Sequence, residues 1–381
     1  MTMTTFIPPT RLLMGPGPSP VHWRVLSALA RPTLGHLDPI FLSLMEEVKA
    51  LLRYTFRTTN EMTLPISGPG SAGMEACFVN LVEPGDKVIV CRNGVFGTRM
   101  IEIVERCQGT PVVIDVPWGR AVPPERVAEA FQSHPDARIL AFVHAETSTG
   151  VLTDAKSLCA IAQQHGALTI VDAVTSLGGV PLEVDGWGID AVYSGTQKCL
   201  SCPPGLSPVS LNQRALEKVR LRKSKVQSWF LDLSLIMDYW AGEQRVYHHT
   251  APVNAIYGLH EALLMLKQEG IKASWERHSR NHQALRSGLQ SIGLDYLVPR
   301  DEQLPSLNAV NIPADIDDAA FRRAMYDRHE IEIGAGLGEL AGKIWRIGLM
   351  GEGSRSSVVE WCLSCVDATV RTARDNTAAA A

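Results

Sequence analysis

Short apolar runs and longer amphipathic stretches take turns along the first two hundred residues of the chain. Met62–Ile66, Lys87–Cys91, Pro111–Val116, Ile139–Val143, Leu168–Val171 and Ile189–Tyr193 are brief, mostly apolar and rich in Val and Ile. That pattern predicts strands buried on both faces of a sheet. Helical periodicity fills the intervals, at Met74–Val82, Phe96–Cys107, Pro124–Ser133 and Asp154–His165. Strand and helix alternating at this spacing require right-handed crossovers, hence a largely parallel sheet. Leu206–Leu211 predicts a last strand. Ahead of the sheet, Asp38-Pro39 predicts a helix start, with an acid at the N-cap and proline in the first turn. Phe41, Leu44, Met45, Val48, Leu51 and Leu52 then share one face of that helix.

Beyond residue 211 the pattern changes. Gln213–Lys223 predicts a basic helix, and the run Arg214, Lys218, Arg220, Arg222, Lys223 and Lys225 reads as a solvated positive face. Trp229–Trp240 is aromatic and irregular. Val253–Lys267 predicts an apolar helix, and from about Ile271 a long helix leads away from it. Short strands at Leu307–Ile312, Ile331–Ile333 and Ile344–Met350, with helices at Asp317–His329 and Ser357–Thr372, make a small α+β layer. A chain of 381 residues exceeds one ordinary core. The expectation is an N-terminal segment (1–20), a large α/β domain (21–270) and a small α+β domain (271–381).

Composition narrows the function classes. The chain is 45% hydrophobic and 20% charged, with net charge −4, so electrostatics gives no reason to expect nucleic acid or an anionic membrane as partner. No run of about 18 uncharged apolar residues exists. The first residues lack the cationic and apolar regions of a secretory signal, and Ala378–Ala381 is no peroxisomal Ser-Lys-Leu. A cytoplasmic enzyme is expected. Eight cysteines fit reduced thiols. Two Cys-Leu-Ser-Cys strings, Cys199–Cys202 and Cys362–Cys365, raise a four-thiolate zinc site, but the second lies in a helical pattern where i and i+3 share a face. Small buried hydrophobes are the better reading, and no metal is expected. Adjacent His248 and His249 point apart on a helix, with no obvious third ligand.

The candidate chemistry lies between Leu168 and Gly205. One apolar run ends in a carboxylate, Asp172. The next runs into Ser-Gly-Thr-Gln and an amine, Lys198. Ligands of open α/β sheets sit beyond the carboxyl ends of the strands, so an acid and an amine reach one ligand edge. A lysine amine can hold an aldehyde cofactor as a Schiff base, and pyridoxal phosphate also needs a carboxylate facing its ring nitrogen. The turn Ser67-Gly-Pro-Gly-Ser-Ala-Gly73 between a strand and a helix makes an anion cradle, because free N–H groups and the helix dipole face the ligand. It matches neither a dinucleotide fingerprint nor a P-loop. Thr147, after Ile139–Val143, joins the same edge. Arg346, flanked by apolar residues, needs a carboxylate, from an Asp or Glu of the chain or from a substrate. Gly334–Gly338 looks like a nucleotide turn but reads as a loop. His36 reads as a loop histidine.

Four strings carry a family resemblance: Val171-Asp-Ala-Val-Thr-Ser-Leu-Gly-Gly, Tyr193-Ser-Gly-Thr-Gln-Lys198, Tyr247-His-His-Thr250 and Arg346-Ile-Gly. With Gly15-Pro-Gly-Pro-Ser they make the chain resemble the class V, fold-type I pyridoxal-phosphate aminotransferases, within them the alanine/serine–glyoxylate aminotransferases, from Gly15 to about Arg371. The resemblance implies an α/β fold with a mostly parallel seven-stranded sheet and a smaller α+β domain. It implies that Lys198 is the Schiff-base lysine and proton shuttle, that Asp172 pairs with the pyridine nitrogen, and that Val174 lies against the ring. Gly70, Ser71 and Gln197 would hold the phosphate, with Pro69 in the same turn. Thr147 would contact the ring-hydroxyl side. Tyr247 and Thr250 would reach the phosphate from a second subunit of a homodimer. Arg346 would bind the substrate carboxylate, and Gly17 falls on the substrate side.

Three positions depart from the family. Phe96 stands where a tryptophan often covers the ring, Pro69 where a hydroxyl residue is common, and Ser71 where the animal enzymes carry histidine. The implied reaction is a ping-pong transamination from a small L-amino acid, alanine or serine, to glyoxylate or pyruvate, with Lys198 moving the α-proton. An (S)-ureidoglycine–glyoxylate aminotransferase is the near alternative, although those resemble this chain less at His36 and Tyr247. A cysteine desulfurase would place histidine where Gln197 stands.

Overall fold

The computed structural model describes residues 5–240 and 245–380; readings that rest on Met1–Thr4 or Ala381 lie outside these. Seven strands form the main sheet. Across it they run Met62–Ser67, Leu206–Leu211, Ala191–Tyr193, Leu168–Asp172, Ile139–Val143, Lys87–Arg92 and Thr110–Asp115. All pairings are parallel except the two made by Leu206–Leu211, which is antiparallel to both neighbours. That strand is last in the chain but second in the sheet. Its connection from Tyr193 carries Lys198 and contains no crossover helix, so the strand must return antiparallel. The central strands are buried at nearly every position, with Ile139, Leu140, Ala141 and Phe142 fully enclosed, and this is why their sequences lack alternation.

A second, three-stranded antiparallel sheet joins Leu307–Asn311, Ile344–Gly348 and Gly334–Ala335. Its core takes Leu285 and Leu289 from the Ile271–Ser291 helix, Phe321 and Met325 from Asp318–His329, and Cys362 and Val366 from Ser356–Ala380. Met14 packs there too. Leu12–Leu13 pairs with Ile331–Glu332, so the N-terminal segment is woven into the second layer.

Several sequence expectations need correction. The helix expected from Met74 begins at Gly70, because the glycine turn is itself the first helical turn. Trp229–Trp240 is not irregular throughout: Leu233–Trp240 is a helix. Asp232 caps it locally, its Oδ1 accepting from Ser234 N–H at 2.9 Å, and Asn80 adds a cap from another element, its Oδ1 accepting from Leu233 N–H at 3.0 Å and its Nδ2 donating to Leu231 O at 2.7 Å. Trp23–Leu29, unread in the sequence, is a helix packed on Val253–Glu269. The basic run is only partly a solvated face. Arg214 pairs with buried Asp190, Lys218 bridges Glu83 and Asp86, and Arg222 donates to the carbonyls of Asn80 and Val82. Gly334–Ala335, read as a loop, is the strand beside Arg346. Cys199, Cys202, Cys362 and Cys365 are all buried free thiols.

Candidate active site

Asp172 is the last residue of its strand and sits in register with Val143 on one side and Tyr193 on the other. Parallel strands bring their carboxyl ends to one rim, so the loops that leave those ends converge there. The Asp172 side chain is buried. Its Oδ1 accepts from Val174 N–H at 2.8 Å and its Oδ2 from the Tyr193 hydroxyl at 2.9 Å. Burial pushes the carboxyl up to about 7; the two donors and Lys198 pull against this, and Glu146 adds to it.

Lys198 lies five residues after Tyr193 and is also buried. Burial, then the charge of Arg346, bring its amine down to about 8, within reach of a neutral, proton-accepting form. Its Nζ donates to Pro16 O. The N-terminal loop is fastened to the lysine backbone as well: Ser19 Oγ donates to Lys198 O at 2.7 Å and Ser19 N–H to Gln197 O at 2.9 Å. Gly17, at φ +109, lies so close that a Cβ there would sit 2.5 Å from Lys198 Nζ. Both the left-handed backbone and the contact require glycine.

The helix Gly70–Leu81 opens toward this rim with Pro69 at its N-cap and no side-chain cap. A Cβ on Gly70 would meet Val174 Cγ2 at 3.1 Å, and one on Gly195 would meet Gln197 Oε1 at 3.0 Å and Gly70 Cα at 3.5 Å. Gly70, Val174, Gly195 and Gln197 therefore approach one another closely at the start of that helix, where Pro69 and Ser71 are exposed. Among the described residues the buried amide oxygen of Gln197 has no hydrogen-bond partner; with the amide turned over, an N–H would point there instead.

Arg346 reaches the site from the small sheet, in register with Ala309 and Gly334. Its guanidinium donates to Ala335 O at 2.7 Å and Thr147 O at 3.1 Å. Among the described residues no carboxylate bonds to it, and burial lowers it to about 10, opposed by the charge of Glu146. Thr147, buried, thus meets Arg346 through its backbone carbonyl. Phe96 is half-buried at the start of Val95–Arg106. Its N–H donates to Glu146 Oε2 at 3.2 Å, and Arg99 lies over its ring.

Tyr247 and Thr250 do not join this group within one chain. They face each other at 3.4 Å between oxygens, with Tyr247 58% exposed and its ring 5.2 Å from that of His36. His249 Nε2 lies 2.7 Å from Ser67 Oγ, at the head of the glycine turn.

The family model for class V aminotransferases matches residues 24–346. The chain belongs to the class V aminotransferases. This aminotransferase is 36% identical over 370 residues to the alanine–glyoxylate aminotransferase of Drosophila melanogaster, covering 96% of this chain and 94% of that one. A solved alanine–glyoxylate aminotransferase from Nostoc sp. superposes with a TM-score of 0.95 at 44% identity, over 97% of this chain and 98% of its own. The ureidoglycine–glyoxylate aminotransferase of Bacillus subtilis gives the same TM-score at 36% identity, over 97% and 95% of the two chains.

Three site neighbours were not legible as such in the aminotransferase's sequence. Glu146 is fully buried, accepts from Ser148 N–H and Oγ as well as Phe96 N–H, and is raised above the usual carboxylate range by that burial. Its one sequence signal is to be the lone acid in His144–Gly150. Tyr193 opens the string that ends at Lys198 without any role of its own there, and Pro16 gives only a carbonyl, which no side-chain pattern reveals.

Proposed function

We propose that this aminotransferase moves the amino group of a small L-amino acid, alanine or serine, to glyoxylate or pyruvate, using pyridoxal 5′-phosphate. The observation that carries the reading is Arg346, a buried guanidinium without a carboxylate partner among the described residues, whose charge bears on the Lys198 amine. A site with one such cation suits a monocarboxylate, and a bidentate grip suits the α-carboxylate shared by amino acids and 2-oxo acids. The names of the relatives support the alanine and glyoxylate pairing.

The residues present fit the cofactor. The close backbone approach at Gly70 and Gly195, the Gln197 amide whose oxygen has no partner among the described residues, and the uncapped helix start suit a phosphate-bearing ring. When bound, pyridoxal phosphate supplies an aldehyde carbon for the substrate amine and a protonated ring that takes up electrons. Asp172 would hold the ring nitrogen's proton and Val174 would face the ring, with Phe96 on its other side. Gly70 and Ser71 N–H groups with Gln197 would hold the phosphate; Pro69, lacking N–H, offers one donor fewer. Thr147 would border the ring-hydroxyl side. Lys198, held at about 8, would anchor the cofactor and, once free, take the substrate's α-proton and return it at the neighbouring carbon. Arg346, with Gly17 beside Lys198, would orient the substrate carboxylate.

Tyr247 and Thr250 would serve the second copy's phosphate in a homodimer. Exposed Trp23, Leu26, Ile40, Trp229 and Phe230 give apolar area for such contact. The buried free thiols suit a reducing compartment such as the cytoplasm.

The test is a donor panel of alanine, serine, (S)-ureidoglycine and cysteine, each with glyoxylate and with pyruvate, with products identified. Glycine together with pyruvate or hydroxypyruvate is expected from glyoxylate. Turnover with ureidoglycine alone would replace this reading with the second one, and sulfide from cysteine would make the enzyme a desulfurase.

A further inference from the structure

A fully buried carboxylate keeps its charge only if donors replace water on its oxygens. Asp172 has two such donors. One, Val174 N–H on Oδ1, belongs to the backbone. The other, the Tyr193 hydroxyl on Oδ2 at 2.9 Å, is the only side-chain donor to Asp172 among the described residues. Tyr193 is itself fully buried, and its backbone lies in ladder register with Asp172 on the adjacent strand. Main chain and side chain therefore fix the same pair. With one oxygen pinned by Val174 and the other by Tyr193, the carboxylate cannot rotate without breaking a bond. Other groups face Asp172 from each packed element: Cys77 from the Gly70–Leu81 helix, Glu146 from the loop after Ile139–Val143, and Lys198 from the loop after Tyr193. Cys77 is held as a neutral thiol by burial and Glu146 opposes the Asp172 charge, so Tyr193 and Lys198 are the side chains that favour the ionised form.

We infer that Tyr193 is a positioning residue that orients the Asp172 carboxylate and keeps it ionised for a protonated pyridine ring, an inference that rests on the cofactor reading above. The hydroxyl touches neither substrate nor reacting atoms; it acts through Asp172.

The test compares wild type, Tyr193→Phe, Asp172→Asn and the double variant, which isolates the coupling between the two. Pyridoxal phosphate affinity and the thermal midpoint of the cofactor-free protein from pH 5 to 8 are read for each. Tyr193→Phe keeps the ring and its packing. Loss of a hydrogen bond to a charged group is expected to weaken cofactor binding about 10- to 100-fold, and Asp172→Asn should absorb most of that loss in the double variant. Without the hydroxyl, Asp172 binds its proton to higher pH, so the deficit of Tyr193→Phe relative to wild type should widen as pH rises through 7. Tyr193→3-fluorotyrosine, a stronger donor of nearly the same size, should shift the pH dependence the opposite way and covers the case of a poorly folding phenylalanine variant. Equal losses in both backgrounds, with no change in pH dependence, would reduce Tyr193 to packing and overturn the inference. A wild type that fails to bind pyridoxal phosphate would overturn the cofactor reading instead, and the pH series on the cofactor-free protein would still judge the Tyr193–Asp172 pair.

Discussion

The rim of the large, mostly parallel sheet buries the carboxylate of Asp172, the face of the small antiparallel sheet buries the guanidinium of Arg346, and the two are treated differently. Asp172, on the rim, has a donor on each oxygen and still rises to about 7. Arg346, on the small sheet, donates to two carbonyls, meets no carboxylate among the described residues, and falls to about 10. A carboxyl near 7 can give or hold a proton at physiological pH, which suits a permanent partner with a proton to share. A guanidinium keeps its proton regardless, and a buried one without a counter-ion is costly, which suits a partner that comes and goes. Lys198 stands between the two, its amine lowered by burial and by Arg346 and raised by Asp172.

The largest effect expected is from Lys198→Ala. Turnover should drop at least about 10³-fold, the scale of losing a positioned acid–base group, while the melting transition persists. Full turnover in this variant would remove the basis for the comparison. Asp172→Asn comes next: removing one partner of a buried ion pair should cost roughly 10²-fold in cofactor retention, measured by dialysis and absorbance. In the cofactor-free protein this carboxyl is raised above its unfolded value, so its contribution to stability is complete below about 4, the unfolded value, and is lost as pH rises toward and through 7. Asp172→Asn should flatten melting temperature against pH across that window.

Arg346→Leu tests the other charge. KM for amino acid and oxo acid together should rise about 10- to 100-fold with little loss of cofactor, because hydrogen bonds to a charged group go with the side chain. The Lys198 amine, freed of a neighbouring cation, should hold its proton to higher pH, moving the acid limb of the pH–rate profile, where the proton-accepting amine forms, to higher pH. If Arg346→Leu releases cofactor while Asp172→Asn only raises KM, the assignment of resident and visitor is reversed. The smallest effect is expected from Gly17→Ala, where a methyl would press on the flexible end of Lys198 at a backbone angle of +109°. Strain of this kind is of order 1–3 kcal/mol, so the melting temperature should fall by a few degrees and cofactor loading should slow, with the donor preference unchanged.

The large sheet was the most legible part of the chain. Pro124–Ser133, Ile139–Val143 and Leu206–Leu211 have the same bounds in sequence and structure, because strands and helices that bury a continuous face carry that periodicity openly. Two of the elements missed draw on partners far along the chain. Leu233–Trp240 adds a cap from Asn80 to its own Asp232 cap, and Gly334–Ala335 is a strand through its pairing with Trp345 and Arg346. The charges of Arg214, Lys218 and Arg222 looked like a solvated face because their partners, from Asn80 to Asp190, lie far off in the sequence. The same holds at the site. Asp172 and Lys198 announced themselves at the ends of apolar runs, whereas Glu146, Tyr193 and the Pro16 carbonyl entered only through contacts across elements.

By itself the sequence determined the strands of the large sheet, at whose ends the acid and the amine stand, and the family to which those strings belong. Short-range periodicity and the one-way geometry of parallel crossovers are local rules, and they suffice for that. Only the tertiary structure decided that Arg346 approaches from a different sheet with no carboxylate among the described residues to meet it, that Pro16–Ser19 lies over Lys198, and that Tyr193 and Val174 share the oxygens of Asp172. Burial, partner choice and proton affinity belong to the enclosed space that distant segments make together, and no single segment carries them.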